Sequence, residues 1–357
     1  AFLGLTPNIV RYRVAGLRRS TQNQVEITNR VIAKISRAEV ASKFMAPAPE
    51  AMLNKLLEER SITREQAQLA AAVPMADDIT VEADSGGHTD NRPLVSLLPA
   101  IIALREQFQV QYGYSHSIRV GAAGGIGTPA SALAAFMMGA AYIVTGSVNQ
   151  ACVEAAASEH SKGLLAQAEM ADVIMAPAAD MFEMGVELQV LKRGTLFPMR
   201  AKKLYELYKN YESIEEIPLP ERQKLEQQVF CNSLEEIWRQ TKEHFYERDP
   251  HQIERAKDHP KRKMALIFRW YLGLTSYWSN SGEKGRETDY QIWAGPAIGA
   301  FNNWVKGSYL EDVSQRKTVE VAWHIMTGAA YLYRLRLLQT QGIRLPSSCE
   351  AYLPQPF

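Results

Sequence analysis

The chain has 357 residues and a formal charge of +1, from 40 Lys and Arg residues against 39 Asp and Glu residues. That balance excludes a strongly basic nucleic-acid-binding protein and a protein dominated by an acidic disordered tail. Hydrophobic residues make up 46% of the chain, which is ordinary for globular proteins, and no run approaches the roughly 18 apolar residues that cross a membrane. The length predicts about two domains, or one large barrel with an appendage.

Cysteine usage indicates a reducing compartment. Cys152, Cys231 and Cys349 lie far apart and form neither a disulfide framework nor a close-set zinc-binding spacing. We therefore expect a cytoplasmic protein. The chain opens with Ala1 rather than Met and carries no signal-type apolar run, so we expect that it begins inside a longer protein.

Short apolar runs alternate with helical patterns up to about residue 190. The strand candidates are residues 31–35, 79–83, 118–122 and 141–144. The helix candidates between them are residues 52–57, a segment near 61–66 capped by Ser61 or Thr63, residues 94–108 and residues 129–138. Strands that alternate with helices predict a parallel sheet covered by helices, so we expect an α/β fold and favour a (β/α)8 TIM barrel.

The chain from about residue 195 has a different character. It is rich in Lys, Glu, Tyr and Trp, and its periodicity predicts helices at residues 201–211, 221–247, 251–255, 262–271 and 319–338. Prolines separate these segments. We therefore expect two parts, a barrel portion over residues 1–195 and a mostly helical cap or subdomain over residues 196–357.

Glycines follow two neighbouring strands of the predicted sheet. Gly124 and Gly125 come after the third strand candidate, and Gly146 and Ser147 come after the fourth. Because glycines let backbone N–H groups approach an anion closely, two such segments one βα unit apart predict a phosphate-binding cradle. The alternative is that the glycines only permit tight turns. The spacing matches neither a dinucleotide-binding G-x-G-x-x-G motif nor a P-loop.

His88 follows the second predicted strand, directly behind Gly86 and Gly87. A histidine at the carboxyl end of a barrel strand is placed over the barrel mouth, where it can give or take a proton near neutral pH. The alternative is a loop histidine that makes a structural hydrogen bond. The sequence therefore predicts a catalytic role for His88, most strongly in combination with the glycine segments.

Lys34 lies within an otherwise apolar strand candidate. A buried lysine is costly unless it meets a negative partner. Lys34 could neutralise negative charge on a cofactor ring or a substrate oxygen, or it could point outward to an acidic residue, and the residues alone leave both interpretations open.

A basic run lies at the start of the helical part. It consists of Lys192, Arg193, Arg200, Lys202 and Lys203. Such a run can attract a phosphate-bearing ligand or an acidic partner surface. The sequence favours the simpler alternative, a solvated helix face with ordinary acidic neighbours.

Several motifs together resemble a known group of flavoenzymes. Residues 82–88, 122–127 and 145–147 resemble the nitronate monooxygenase and FMN-dependent enoyl reductase superfamily. More narrowly, the chain resembles the trans-acting enoyl reductases of polyketide and polyunsaturated-fatty-acid synthases. The stretches that carry this narrower resemblance are residues 5–7, 10–13, 44–49, 74–78, 88–93, 176–182, 191–200 and 295–301.

The resemblance implies an NADPH- or NADH-dependent enoyl reductase with FMN in a TIM barrel. The residues that it implies to hold or flank the FMN are Gly86, Gly87, Gly124, Gly125, Gly146 and Ser147. It also implies that His88 lies over the flavin ring as proton donor or substrate-orienting group, and that Lys34 faces the pyrimidine edge. The substrate would be an enoyl thioester on an acyl carrier protein, and the partner a polyketide or fatty-acid synthase, with neither nucleic acid nor membrane involved.

One departure from the family pattern and two alternative functions remain. Family members carry a further N-terminal stretch that supplies the first barrel strands, so we expect this chain alone to make about half to two-thirds of a barrel. The alternatives to a reductase are a nitronate monooxygenase-type flavin oxidase and a non-catalytic module of a synthase. The sequence leaves the oligomeric state open, a homo-oligomer included.

Overall fold

The computed structural model describes residues 4–356, which divide into two units by their internal contacts. The first unit comprises residues 4–85, 89–146 and 321–354, and the second comprises residues 86–88, 147–320 and 355–356. The family resemblance also implies that Ala1 and Phe2 end a strand of the barrel, and these two residues lie outside the described range. The division at residue 195 into a barrel portion and a cap is a functional interpretation, and it stays a prediction.

Six strands belong to the first unit. Two of them form an antiparallel hairpin that the sequence pattern did not reveal, β1 (Leu17–Arg19) and β2 (Val25–Ile27). The other four form a parallel sheet in chain order. They are β3 (Ile32–Ile35), β4 (Asp78–Glu82), β5 (Arg119–Ala123) and β6 (Ile143–Val144). These four match the four predicted strands, so the α/β class with a parallel sheet is confirmed.

Six helices connect and cover these strands. They are α1 (Pro7–Ala15), α2 (Ala38–Met45), α3 (Glu50–Glu58), α4 (Arg64–Leu69), α5 (Leu94–Tyr112) and α6 (Pro129–Met137). Thr63, rather than Ser61, caps α4 through a capping box with Gln66. The predicted helix at 94–108 runs one turn further, to Tyr112, and Gly113 ends it with a φ of 61°.

The parallel sheet has one apolar and one polar face because side chains alternate along each strand. The apolar face consists of Ala33, Ile35, Ile79, Val81, Val120 and Ala122, all less than 5% exposed. Helices α2 and α5 contact these strands. Each large side chain removed from water there contributes about 1.5–3 kcal/mol. The register pairs Lys34 with Thr80, which places both residues on the opposite, polar face.

The second unit is mostly helical. Its two strands, β7 (Val173–Pro177) and β8 (Glu187–Leu191), form an antiparallel hairpin that the sequence pattern did not reveal. Its helices are α7 (Ser147–Gln150), α8 (Glu159–Ala166), α9 (Phe197–Asn210), α10 (Leu219–Lys224), α11 (Leu234–Arg248), α12 (Pro250–Lys257), α13 (Pro260–Ser281) and α14 (Ala297–Val305). The long helix α15 (Thr318–Thr340) follows, and from residue 321 onward it belongs to the first unit.

One predicted helix is wrong. The segment 221–247 is interrupted: α10 passes into a π-helical turn over Leu225–Phe230, and Cys231 then adopts a left-handed conformation with a φ of 52°. Ser233 caps the start of α11 by accepting a hydrogen bond from the Glu236 N–H. The helices predicted at 201–211, 251–255, 262–271 and 319–338 are confirmed by α9, α12, α13 and α15.

The strand arrangement confirms only part of the predicted TIM barrel, the parallel sheet. The described strands form one four-stranded parallel sheet and two hairpins. A closed TIM barrel therefore stays a prediction, while the mixed α/β architecture is observed. Within residues 4–356, no helix combines the length and the apolar character needed to cross a membrane.

Candidate functional site

The carboxyl end of the parallel sheet carries a charged group on its polar face. Lys34 of β3 places its Nζ atom 2.7 Å from Glu82 Oε1 at the end of β4. The Ser85 hydroxyl donates to the same carboxylate oxygen over 3.1 Å. The Lys34 side chain is 54% exposed, so it pairs with an acidic residue and also faces solvent. Its action on a cofactor stays a prediction.

Further polar pairs line the same face of the sheet. Arg119 donates two hydrogen bonds of 2.6 and 2.8 Å to the Asp78 carboxylate. The hydroxyls of Thr80 and Tyr142 lie 2.8 Å apart, and burial raises the pKa of the Tyr142 hydroxyl. Gly121 leaves room for that ring, since a Cβ there would lie 2.1 Å from it. Sequence reasoning missed these pairs because each joins residues on different elements.

The two glycine segments contain glycines of different kinds. A Cβ on Gly124 would lie 2.7 Å from the carbonyl carbon of Ala83, so close packing of strand ends requires Gly124. A Cβ on Gly125 (φ +71°) or on Gly146 would have no neighbouring atom within 4 Å. Among residues 4–356, the N–H groups of Gly125, Ile126 and Gly146 have no hydrogen-bond acceptor. Because β5 and β6 are paired, these donors follow two adjacent strand ends.

Ser147 belongs to the second unit and begins α7. Its Oγ atom accepts a 2.9 Å hydrogen bond from the N–H of Gly295, and the residue is buried. A hydroxyl that accepts one hydrogen bond retains a hydrogen to donate. The assignment of Ser147 and of the preceding glycines to a phosphate cradle stays a prediction.

Packing within the second unit requires both Gly86 and Gly87. A Cβ on Gly86 would lie 2.8 Å from the backbone of Ala294, and a Cβ on Gly87 would lie 2.7 Å from the Trp293 ring. Gly87 also exchanges two backbone hydrogen bonds, of 2.9 and 2.7 Å, with Gln189 of β8. These contacts explain both glycines without a ligand, so their contact with a cofactor stays a prediction.

His88 is held by a carboxylate and an aromatic ring. Its Nε2 atom lies 3.0 Å from Asp180 Oδ1, and because an ionised carboxylate only accepts, the Nε2–H donates. The Trp293 ring stands edge-to-face against the imidazole, with centroids 5.7 Å apart. The His88 side chain is 19% exposed. An imidazole oriented by a carboxylate is an arrangement suited to proton transfer.

Asp180 was given no role from the sequence alone. It lies between β7 and β8, 92 positions from His88. No local spacing signals that contact, although the Asp180 motif was one of those that carried the family resemblance. The structure therefore adds Asp180 to the candidate site.

The segment that follows His88 is anchored in the first unit. Asp90 accepts hydrogen bonds of 2.8 and 2.9 Å from the Arg37 guanidinium and one of 2.5 Å from the Ser36 hydroxyl. The Arg37 hydrogen bonds lower the pKa of Asp90 to about 2, against an opposing effect of burial. The carboxylate is therefore charged throughout the neutral range, and it holds this segment to the residues that follow β3.

Arg200 of the basic run lies in an internal network. It pairs with Asp289, which is only 2% exposed and also accepts from Arg286 over 3.1 Å. The Tyr271 hydroxyl donates to Asp289 over 2.6 Å, and burial raises the pKa of that tyrosine far above its ordinary value. Arg200 therefore balances a buried carboxylate in the second unit.

Two other cations of the basic run also meet carboxylates. Arg193 lies 3.2 Å from Asp172, and Lys203 lies 2.9 Å from Glu221. The expectation of a solvated face with ordinary acidic neighbours is confirmed for these two residues, whereas Arg200 pairs with a buried carboxylate. An acidic partner surface for the run as a whole stays a prediction.

The predicted site residues therefore fall into two groups. In the first unit, Lys34 lies within β3, and Gly125 and Gly146 follow β5 and β6 of the same parallel sheet. In the second unit, Gly87 and His88 are fixed on β8 and on the β7–β8 segment. Over the described range 4–356, no group of three or more His, Cys, Asp or Glu residues is arranged to hold a metal ion.

Comparison with known proteins gives one match to part of the helical region. Residues 211–290, which contain α10 to α13, match the family described as acyl-carrier-protein S-malonyltransferase, inserted helical domain. This match covers less than a quarter of the chain, and it identifies the helical segment alone.

Longer matches cover nearly the whole chain. It is 51% identical to a polyunsaturated fatty acid synthase component of Thraustochytrium sp., with 100% of this chain and 24% of that protein covered. It is 52% identical to the polyketide biosynthesis protein PksE of Bacillus subtilis, with 94% of this chain and 44% of that protein covered. The chain thus spans less than half the length of either curated relative.

One solved structure matches both the sequence and the fold. The enoyl reductase domain of MlnA, from the macrolactin biosynthesis cluster of Bacillus amyloliquefaciens, superposes with a TM-score of 0.89. The two are 38% identical, and the match covers 94% of this chain and 75% of that chain. The chain therefore belongs to the family of enoyl reductase domains found in polyketide biosynthesis.

Proposed function

We propose that the protein is an FMN-dependent enoyl reductase that uses NADPH or NADH to reduce the α,β-double bond of an enoyl thioester on an acyl carrier protein. The observation that carries the proposal is the match to a solved enoyl reductase domain over 94% of the chain. The His88–Asp180 pair adds a group suited to the proton transfer that such a reduction requires. The four parallel strands would then be part of a TIM barrel.

The residues that follow the carboxyl ends of β5 and β6 fit the phosphate of FMN. The N–H groups of Gly125, Ile126 and Gly146 have no acceptor among the described residues, and the glycines face open space. Such clustered backbone donors bind anions at the carboxyl ends of parallel strands. Ser147 would add a hydroxyl donor. When bound, FMN supplies the hydride chemistry, and the protein supplies position and electrostatics.

The chain's own residues would handle the proton and the charge. Asp180 orients the His88 ring through Nε2, and the ring would supply the proton that adds to the α-carbon of the substrate. Trp293 packs against the ring and limits its movement. Lys34 holds a positive charge at the carboxyl end of the sheet, where it favours an electron-rich ligand.

The carrier-protein part of the proposal is supported by the relatives. They are components of polyunsaturated-fatty-acid and polyketide synthesis, and the family matched by residues 211–290 is named for a transferase that uses an acyl carrier protein. The partners would be a carrier protein and the synthase to which it belongs.

An absorption spectrum tests the proposal most directly. The purified protein should show a flavin spectrum that bleaches on anaerobic addition of NADPH or NADH and recovers on addition of a crotonyl thioester. A flavin that does not bleach, but turns over small nitronates with oxygen, would establish an oxidase instead. A folded protein that binds no FMN when reconstituted would point to a non-catalytic synthase module.

A further inference from the structure

A groove lies between two helices of the second unit, α11 and α13. Its volume is about 470 Å³, within the range of roughly 300–1,000 Å³ that holds a single small molecule. Its walls come from one face of α11 (Gln240 to Arg248) and one face of α13 (Leu266 to Leu274). Eight helical steps along each wall make it about 12 Å long, so its shape suits an elongated ligand.

The walls of the groove combine apolar side chains with the polar side chains of Gln240 and Thr241. Phe245, Leu266, Trp270 and Leu274 line it. Leu266 is fully buried and packs with the α12 residues beneath it, and Phe245 packs against the same cluster. These walls are therefore held rigidly by the core, as a preformed binding site requires.

The groove also carries positive charge. Arg248 and Arg269 line it, and Arg248 lies exposed in the last turn of α11. Arg269 is partly neutralised by Glu183, 3.3 Å away. A groove that combines apolar side chains with arginines matches a ligand that has a partly apolar chain and a phosphate, because the guanidinium groups can pair with the phosphate.

Asp180 connects the groove to the candidate catalytic histidine. Its side chain both lines the groove and accepts the hydrogen bond from His88 Nε2. A ligand that extends along the groove toward Asp180 therefore approaches the group that we assign to proton transfer.

Gly273 leaves the groove open along the α13 wall. It lies in the interior of the 22-residue helix α13, its φ is not positive, and a Cβ there would meet no atom within 4 Å. Glycine is among the weakest helix formers, and nothing in the protein occupies the space that its side chain would fill. The space is instead part of the groove wall.

We propose that this groove binds the phosphopantetheine arm of the thioester substrate, with its phosphate at Arg248 and its apolar part along Trp270 and Leu274. The inference rests on the proposed enoyl reductase function and specifies where its substrate lies. The same arm occurs on coenzyme A and on acyl carrier proteins, and the substrates below separate these two sources.

Binding and turnover of matched thioesters test the groove. Gly273→Phe should raise both the Kd of butyryl-phosphopantetheine, measured by calorimetry, and the KM of crotonyl-phosphopantetheine at least about tenfold by filling the groove. Gly163→Phe is the matched control, because Gly163 is also a helical glycine with no atom within 4 Å of a Cβ, and it lies in α8 outside the groove. Flavin content and NADPH-dependent bleaching should be unchanged in both variants.

A charge variant tests the phosphate end and covers the case in which Gly273→Phe does not fold. Arg248→Gln should raise the Kd and the KM of phosphopantetheine thioesters about ten- to hundredfold, which is the effect of one charge-assisted hydrogen bond. It should leave the Kd and the KM of the phosphate-free pantetheine thioester unchanged. Arg255→Gln, an exposed change of the same charge on α12, should have no effect. An equal effect of Arg248→Gln on crotonyl-coenzyme A and on crotonyl-carrier protein supports recognition of the shared arm.

Other outcomes separate the two proposals. If the wild type reduces crotonyl thioesters while Gly273→Phe and Arg248→Gln bind them as the wild type does, the groove assignment is wrong and the reductase stands. If the wild type reduces no enoyl thioester but binds butyryl-phosphopantetheine in a manner sensitive to Gly273→Phe, the groove assignment stands and the reductase function is wrong. A loss of carrier-protein turnover alone in Arg248→Gln would assign Arg248 to the protein partner and overturn its role at the phosphate.

Discussion

Removal of the His88–Asp180 contact tests the proton-transfer assignment. His88→Ala removes the imidazole, whereas Asp180→Asn keeps the shape of the partner and removes its charge. General acid–base groups contribute about 10²- to 10⁴-fold to rate, so His88→Ala should lower kcat for enoyl reduction within that range. A hydrogen bond to a charged group contributes about 1.5–3 kcal/mol, and Asp180 is 61% exposed, so we expect a loss near 1.4 kcal/mol for Asp180→Asn, or about tenfold.

A double-mutant cycle distinguishes a functional pair from two independent structural residues. If Asp180 acts by orienting His88, then Asp180→Asn should have little further effect in the His88→Ala background. The assay is stopped-flow measurement of the two half-reactions. Bleaching by NADPH should be unchanged in every variant, while reoxidation by the crotonyl thioester should slow.

The matched control is Asp258→Asn, which makes the same chemical change at an exposed helix end away from the pair. It should leave both half-reactions unchanged. Additive effects of His88→Ala and Asp180→Asn on reoxidation would refute the assignment of Asp180 as the orienting residue. An unchanged reoxidation rate in His88→Ala would remove His88 from the mechanism altogether.

Three further predictions concern the sheet edge, the buried network and an anchored loop. Gly125→Ala should reduce FMN content by covering the N–H donors, whereas Gly113→Ala, which has a similar left-handed backbone and equally open space, should cost only the conformational strain of about 1–2 kcal/mol and retain FMN. Asp289→Asn should lower the free energy of unfolding by about 3 kcal/mol in urea melts because two guanidinium groups, 18% and 15% exposed, lose their carboxylate, whereas Lys202→Ala should stay within about 0.5 kcal/mol. The folded pKa of Asp90, near 2, is below its ordinary value of 3.8, so its contribution is complete above about pH 4 and lost as the pH falls through 2. Asp90→Asn should therefore cost about 1 kcal/mol at pH 7, and the difference from the wild type in thermal melts should vanish near pH 2.

The parallel sheet could be predicted from the sequence because its signals are local. Strands such as β3 and β4 appear as short β-branched runs, and turn-forming residues follow them within the same window. The capping box of α4 is likewise a local signal, because Thr63 and Gln66 are only three positions apart. These features depend on neighbours in the chain, so a single sequence is enough to reveal them.

The β7–β8 hairpin and the break at Cys231 could not be predicted in the same way. The two strands of the hairpin face each other across a nine-residue connection that holds a short helical turn, so neither the length nor the residues of a tight hairpin mark it. Cys231 is a non-glycine residue in a left-handed conformation, and the helical periodicity on both sides of it conceals the interruption. Tertiary packing decides both features.

The glycine segments show why residue type alone left the site undecided. Gly124 and Gly125 are adjacent and identical in sequence, and both have positive φ values. Only the three-dimensional surroundings separate Gly124, which packs against the end of β4, from Gly125, where a Cβ would meet no atom within 4 Å and whose N–H has no acceptor among residues 4–356. Of the two interpretations offered by the sequence, tight packing therefore applies to one residue, and the anion cradle remains available to the other.

The two interpretations of Lys34, an ion pair with an acidic residue and a cation for a bound ligand, are compatible with each other. A lysine paired with Glu82 at 2.7 Å presents little net charge to a distant anion, because the carboxylate cancels most of its field. At contact distance the cancellation is incomplete, and more than half of the Lys34 side chain is exposed, so an electron-rich ligand that touches the ammonium still gains from it. The Ser85 hydroxyl donates to the same carboxylate oxygen, so Glu82 divides its hydrogen bonding between Ser85 and Lys34. A short-range role at a bound ligand is thus compatible with the ion pair, whereas long-range attraction of an anion is not.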